Sequence, residues 1–208
     1  MRYTGPKMKL CRREGRNLFG SEKYAVAKSN RAPMGRGFGR MSLFGQQLRT
    51  KQATKRSFGI AERQFRNYYR KAVRQSGNTI TNMQRLLDTR LDVVILRANF
   101  ARTIMQARQF VSHGHFLVNG KKVNIPSYQV KVGDVIEVRE NKKDTTLYQA
   151  IRVEFDEFLS QNSSGSVSSV SWLDVDPKTL TIKVTRLPEE DDFENASDMA
   201  RIIEFYSK

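Results

Sequence analysis

The pattern of apolar and polar positions divides the 208-residue chain into segments of different physical character. Residues 1–45 carry no sustained apolar period; "APMGRGFGR" at 32–40 is the clearest case, and such a segment is expected to order mainly against a partner. Residues 46–56, "QQLRTKQATKR", favour a helix but hold almost no apolar side chain, so their charges are expected to be solvated or bound to anions. Beyond Gly59, the spacing of Ala61, Phe65, Tyr68, Tyr69 and Ala72 predicts an amphipathic helix, capped near Gly77. Its opposite face carries Arg63, Arg66, Arg70 and Arg74 and no acid.

Residues 81–100, with Met83, Leu86, Leu87 and Leu91 apolar, predict one core-packing helix ending near Arg97–Phe100. Thr103–His113 predicts another, burying Ile104, Ala107 and Val111 and presenting Arg102, Gln106, Gln109 and His113. "HFLVNGKKVN" then reads as a hairpin with Asn119-Gly120 in a type I′ turn, and "SYQVKVGDVIEV" as two short strands about Gly133-Asp134. Leu147, Ile151, Phe155 and Phe158 predict a covering helix, residues 160–169 a Ser/Gly-rich loop, and residues 171–188 a strand, turn and strand. The closing "ASDMARIIEFYSK" is apolar enough, through Ile202, Ile203, Phe205 and Tyr206, to seek a helical core. The class is α+β: a helical domain completed by the C-terminal segment, an inserted small αβ module, and a basic N-terminal extension.

Charge narrows the function. The net charge is +16 and asks for a polyanionic partner. It is concentrated early: residues 1–77 hold 20 Lys/Arg against 3 Asp/Glu, whereas residues 154–208 hold 5 against 12. No run of about 18 apolar residues is present, so no membrane segment is expected and the chain reads as soluble and intracellular. The acidic stretch "PEEDDFENASD" at 188–198 suits a protein neighbour better than RNA.

Catalytic and metal chemistry lack their residues. His113 and His115 supply two ligands where zinc wants three or four, and no Cys, Asp or Glu lies beside them. Cys11 is the single cysteine, without an identifiable base or orienting group. "GRGFG" has neither the spacing nor the context of a phosphate-binding loop. Cofactor, metal and enzyme are therefore not expected, and nucleic-acid binding accounts for more of the pattern. Composition alone does not choose DNA or RNA.

The chain resembles the uS4 family of small-subunit ribosomal proteins in its bacterial form. The resemblance rests on "RYTGPKMKLCRREG" at 2–15, "FGQQLRTKQATKRSFGIAERQFRNYYRKA" at 44–72, "LLDTRLDVVILRANFARTIMQARQFVSHGHFLVNGKKVNIPSYQVKVGDVIEV" at 86–138, "SWLDVD" at 171–176 and the terminal "EFYSK". It implies domains at 1–45 (extension), 46–92 with 189–208 (helical) and 93–188 (an αL-type RNA-binding domain, a helix pair on a curled antiparallel sheet, with an appended helix and strands). It implies a primary binder of 16S ribosomal RNA at the five-way junction of the 5′ domain, nucleating assembly of the subunit body. It further implies contact with ribosomal protein S5 and other small-subunit proteins, a share in translational accuracy, and a place where messenger RNA enters. The expected location is cytoplasmic, in the small ribosomal subunit, with an organellar ribosome left open. Free repression of its own messenger and an RNA-chaperone role are the alternatives.

Charge and resemblance together nominate the RNA contacts. In the arm these are Arg2, Tyr3, Lys7, Lys9, Arg12, Arg13, Arg36 and Arg40; in the helical domain Arg49, Lys51, Lys55, Arg56, Arg63, Arg66, Arg70 and Arg74. In the αβ module they are Arg102, Gln106, Arg108, Gln109, His113, His115, Asn119, Lys121 and Lys122. Many relatives hold zinc through four N-terminal cysteines, in a pattern that begins Cys-x-x-Cys before "RREG". Here Met8 takes the first position, Cys11 the second, and residues 12–45 hold no cysteine, which implies a zinc-less variant. Two further departures are "TIT" at 79–81, where relatives carry a "TGE" turn, and "RAPMGRGFGR" at 31–40.

Overall fold

Most of the apolar positions read from the sequence are buried or half-buried in two separate cores; Ala61, expected on the buried stripe, instead precedes the helix Glu62–Arg74 as its exposed N-cap. A computed structural model describes residues 3–26, 41–161, 170–193 and 196–207. They fall into two units, one within Met1–Leu87 and Phe193–Lys208, the other Asp88–Asp192. "APMGRGFGR", most of the expected 160–169 loop, Arg2, Arg36, Arg40 and the side chain of Phe158 lie outside the described residues.

The first unit contains helices α1 (Lys7–Glu14), α2 (Leu43–Ser57), α3 (Glu62–Arg74), most of α4 (Thr79–Asp88) and the C-terminal helix, Ala196–Ser207. Ser42 caps α2, its side chain accepting from the Gly45 amide. Phe65 and Ala72 of α3, Met83 and Leu87 of α4, and Met199 and Ile202 of the C-terminal helix form the core. The apolar terminus thus completes the helical unit, as expected from its composition.

Two expectations for this unit change. Part of the N-terminal arm is folded: α1 buries Cys11, and Leu18 and Phe19 follow it into the interior. The α2 charges are not mainly solvated. Lys51 is buried, and the nearly apolar-free helix is instead held by ion pairs from inside the unit.

The second unit is α5 (Leu91–Arg97), α6 (Ile104–Ser112), strands β1 (Phe116–Val118), β2 (Lys121–Lys122) and β3 (Val135–Val138), helices α7 (Glu140–Lys143) and α8 (Thr146–Gln161), and strands β4 (Leu173–Asp176) and β5 (Thr181–Val184). The C-terminal helix of the first unit is α9 (Ala196–Ser207). The strands form one antiparallel sheet in the order β2-β1-β3-β5-β4. Ile95, Phe100, Phe116, Ile136, Tyr148, Trp172 and Ile182 are the large groups of the core. The class is α+β.

The helix expected over 81–100 is two helices, because its backbone finds better partners elsewhere. Leu91 and Asp92 donate their amides to the Tyr128 and Pro126 carbonyls at 2.8 and 3.1 Å, and Thr89 accepts from the Val130 amide at 2.9 Å. That pairing also withdraws residues 126–130 from the sheet, so the first of the two strands expected around Gly133 is only an isolated Arg90–Gln129 bridge. Phe110, Tyr148 and Trp172 are core groups that the helical stripes did not single out.

At the start of α5, the fully buried Asp92 carboxylate takes Arg90 at 2.8–2.9 Å and Arg108 of α6 at 2.6–2.9 Å. Removing one partner of such a pair leaves buried charge uncompensated, at a cost of about 3–5 kcal/mol. Asp92→Asn is expected to lower unfolding stability by that order in urea titrations, whereas the exposed Glu140→Gln is expected to change it by less than about 0.5 kcal/mol.

Candidate nucleic-acid interface

The helical stripe of α3 buries Phe65 and Ala72, and this fixes where the other side chains go. Arg63, Arg66, Arg70 and Arg74 are all exposed, and among the described residues none is ion-paired. A helix of this length presents them along about 20 Å. This is a row of guanidinium groups that no acid among the described residues pairs.

The cations of α2 have a different fate. The Glu62 carboxylate, at the start of α3, accepts from Lys51 at 2.7 Å, Lys55 at 2.8 Å and the Tyr206 hydroxyl at 2.8 Å. Lys51 also lies over the Phe205 and Tyr206 rings, at 4.5 and 5.3 Å from their centroids. Glu14 of α1, its side chain wholly buried, pairs with Arg49 at 3.5 Å and closely with Arg56. Partial burial pushes the Glu62 carboxyl up, but the hydrogen bonds from Lys51, Lys55 and Tyr206 outweigh it and hold the group at about 2. Burial, then the hydrogen bond to Glu62, raises the Tyr206 phenol.

In the arm, Lys9 and Arg13 are exposed, Arg12 is half-buried and Tyr3 is largely exposed. Lys7 instead lies over the Phe19 and Tyr24 rings at 5.6 and 5.8 Å. Arg16, which the sequence did not nominate, pairs with Asp198 at 2.5 Å. In the second unit Asp192 pairs with Arg186 at 2.7 Å. Two acids of the 188–198 stretch are therefore used internally, each within its own unit.

The αβ unit divides its nominated residues in the same way. Thr103 caps α6 by accepting from the Gln106 amide, and the Gln106 side-chain oxygen accepts from the Arg102 amide at 2.9 Å. The Arg102 guanidinium, largely exposed, pairs with Glu154, and Arg108 is held by Asp92. Gln109 and His113 are exposed. Asn119 and Gly120 have φ of +50° and +74°, the pair of positive angles that a type I′ turn requires. The Asn119 amide group donates to Asp134 at 2.9 Å and its oxygen accepts from the Val135 amide at 2.9 Å. Asn119 thus sets the hairpin, and Lys121 and Lys122 are exposed beyond it.

The two histidines stand apart, ring centroids 6.2 Å from each other. His115 stacks on Phe110 and its Nδ1 lies 3.1 Å from the Tyr148 hydroxyl. Burial lowers its pKa, and Lys142, His113 and Arg139 add to the effect. Among the described residues no group of three or more His, Cys, Asp or Glu is placed to hold a metal ion. Cys11 is buried and is the single cysteine of the chain, so the residues present do not fit a four-cysteine zinc site.

Two family models match the chain: the Ribosomal protein S4/S9 N-terminal domain over residues 2–88 and the S4 domain over residues 89–136. Curated proteins called small ribosomal subunit protein uS4 are similar throughout. The one from Heliobacterium modesticaldum is 45% identical over 215 residues, that of Thermosipho melanesiensis 44% over 217, and that of Thermotoga maritima 42% over 216. Each alignment covers 100% of this chain and 99% of the relative.

Because the folded value of Glu62 lies below its ordinary 4.5, its ion pairs contribute stability that is complete above that value and lost as pH falls toward 2. Thermal melts followed by circular dichroism are expected to fall across this window. Glu62→Gln is expected to be less stable near neutrality and to show a smaller fall.

Proposed function

The chain belongs to the small ribosomal subunit protein uS4 family, and on that premise we propose that it binds 16S ribosomal RNA as a structural constituent of the small ribosomal subunit. The family is structural and non-enzymatic. The observation that carries the RNA reading is the row of arginines on α3, none of them ion-paired among the described residues, beside α2, whose Arg49, Lys51, Lys55 and Arg56 are held by carboxylates. Guanidinium groups bind phosphate oxygens in a forked geometry, and such contacts set position on the RNA more than sequence. Lys121, Lys122, Gln109 and His113 offer a second set of donors in the αβ unit, which suits the wide minor groove and backbone of folded RNA.

The finer reading follows the resemblance. The RNA target is the five-way junction of the 5′ domain, where binding nucleates assembly of the subunit body. Ribosomal protein S5 is a neighbour, the two share in translational accuracy, and messenger RNA passes nearby as it enters. No helix among the described residues is long and apolar enough to cross a membrane.

Filter binding to 16S 5′-domain RNA and to a control RNA of equal length tests this. The protein is expected to prefer the 5′-domain RNA at moderate salt; equal affinity for both removes specific recognition. Arg66→Ala with Arg70→Ala is expected to flatten the salt dependence by about 0.7–0.9 per lost contact. An unchanged slope removes α3 from the interface.

A further inference from the structure

The His-Gly-His turn lies where the end of α6, the hairpin and the chain leaving β3 meet. Gly114 has φ +66°, and a Cβ there would come 2.5 Å from Lys122 Cε and 3.4 Å from its Nζ. The bare glycine lets the lysine stem cross the corner. From the other side, the Arg139 amide donates to the His115 carbonyl at 2.8 Å and its guanidinium to the Gly114 carbonyl at 3.3 Å. Lys142 follows one turn on, its amide donating to the Arg139 carbonyl at 2.8 Å.

Burial raises the Tyr148 phenol, so it stays protonated, and its hydroxyl lies 3.1 Å from His115 Nδ1, where either group can donate. The charged groups that act on His115 are Lys142, His113 and Arg139, all cationic or able to become so. Lys143 is taken by Glu140, but among the described residues no carboxylate pairs with Lys122, Arg139 or Lys142. The corner gathers positive charge that the fold leaves uncompensated.

We propose that Lys122, Arg139 and Lys142, with the His113–His115 pair, bind a phosphodiester of RNA, and that His115 takes up a proton as the phosphate arrives. The proposal rests on the RNA reading above and adds Arg139, Lys142 and a proton to it. An anion relieves the repulsion among the three cations and turns the field at His115 from unfavourable to favourable for imidazolium. The bound-state pKa then exceeds the free one, so affinity rises as pH falls from above the bound value to below the free value. The contact reads backbone and applies to any RNA that reaches the corner.

The test uses the full chain, with filter binding to 16S 5′-domain RNA and to an equal-length control RNA across salt concentration and from about pH 8 to about pH 5.5, the range in which imidazole titrates. Both RNAs are expected to bind tighter at low pH, about tenfold for each unit by which phosphate raises the His115 pKa. His115→Gln is expected to reduce that dependence. Arg139→Gln with Lys142→Gln is expected to flatten the salt slope by about 1.5 for both RNAs. Circular-dichroism melts check that the variants fold. Nuclear magnetic resonance titration of His115 in the unaltered protein, with and without a short oligonucleotide, gives the proton uptake independently of any variant.

Equal His115 midpoints with and without RNA, or a salt slope unmoved by the double substitution, overturns the proposal. If the variants weaken binding to two RNAs that the parent does not distinguish, the corner stands and 5′-domain recognition falls. If the parent prefers the 5′ domain and the variants match it, the corner alone falls. Absence of binding to either RNA removes both.

Discussion

Like-charge repulsion is the constraint on which this fold depends. Residues 1–77 carry 20 cationic side chains against three carboxylates, and two of those carboxylates sit at the centre of the α2 cations. Glu14 is wholly buried and one of its oxygens serves both Arg49 and Arg56, joining α1 to α2. Glu62 joins α2 to α3 and, through Tyr206, to α9. With the acids so placed, the guanidinium groups on the far side of α3 have no ion-pair partner among the described residues. The same scarcity that holds the unit together leaves its arginine row available.

The second unit obeys a related rule with a different outcome. Asp92 takes Arg90 and Arg108 and so ties α5 to α6, whereas Asp134 spends its carboxylate on the Asn119 side chain and the Lys131 amide. One acid removes cations from solvent, and the other shapes the hairpin that exposes two. Lys121 and Lys122 are in place because Asn119, Gly120 and Asp134 fix the strand register at Val118 and Lys121.

What the sequence revealed follows from how far apart the causes lie. Local periodicity located α3, α6 and α8, and local backbone preference located the Asn119-Gly120 turn. The break at Thr89-Arg90 was hidden because its hydrogen-bond partners, Pro126 to Val130, lie some forty residues away and offer nothing in the local pattern. The folding of α1 was hidden for the same reason: its apolar content is small, and its anchor is the Glu14 pairing with arginines of α2. Within the nominated interface, residue type marked every cation alike. It gave no means to see that Asn119 and Arg108 are committed inside the unit while Gln109 and Lys121 are not.

That difference decides what each cation contributes on binding. A lysine or arginine gains from RNA only if phosphate improves on the partner it already has, and the measurable gain is the counterions released. Lys51 is 6% exposed, so drawing it out would break its pair with Glu62 and uncover the aromatic rings beneath its ammonium. For Arg56 the exchange would leave the buried Glu14 carboxylate with less compensation, a cost of the kind that exceeds one surface phosphate contact. Arg66 loses nothing of this sort when it meets an anion. On the proposed RNA reading, the held cations would act through the shape they maintain, and the unpaired ones would supply the charge.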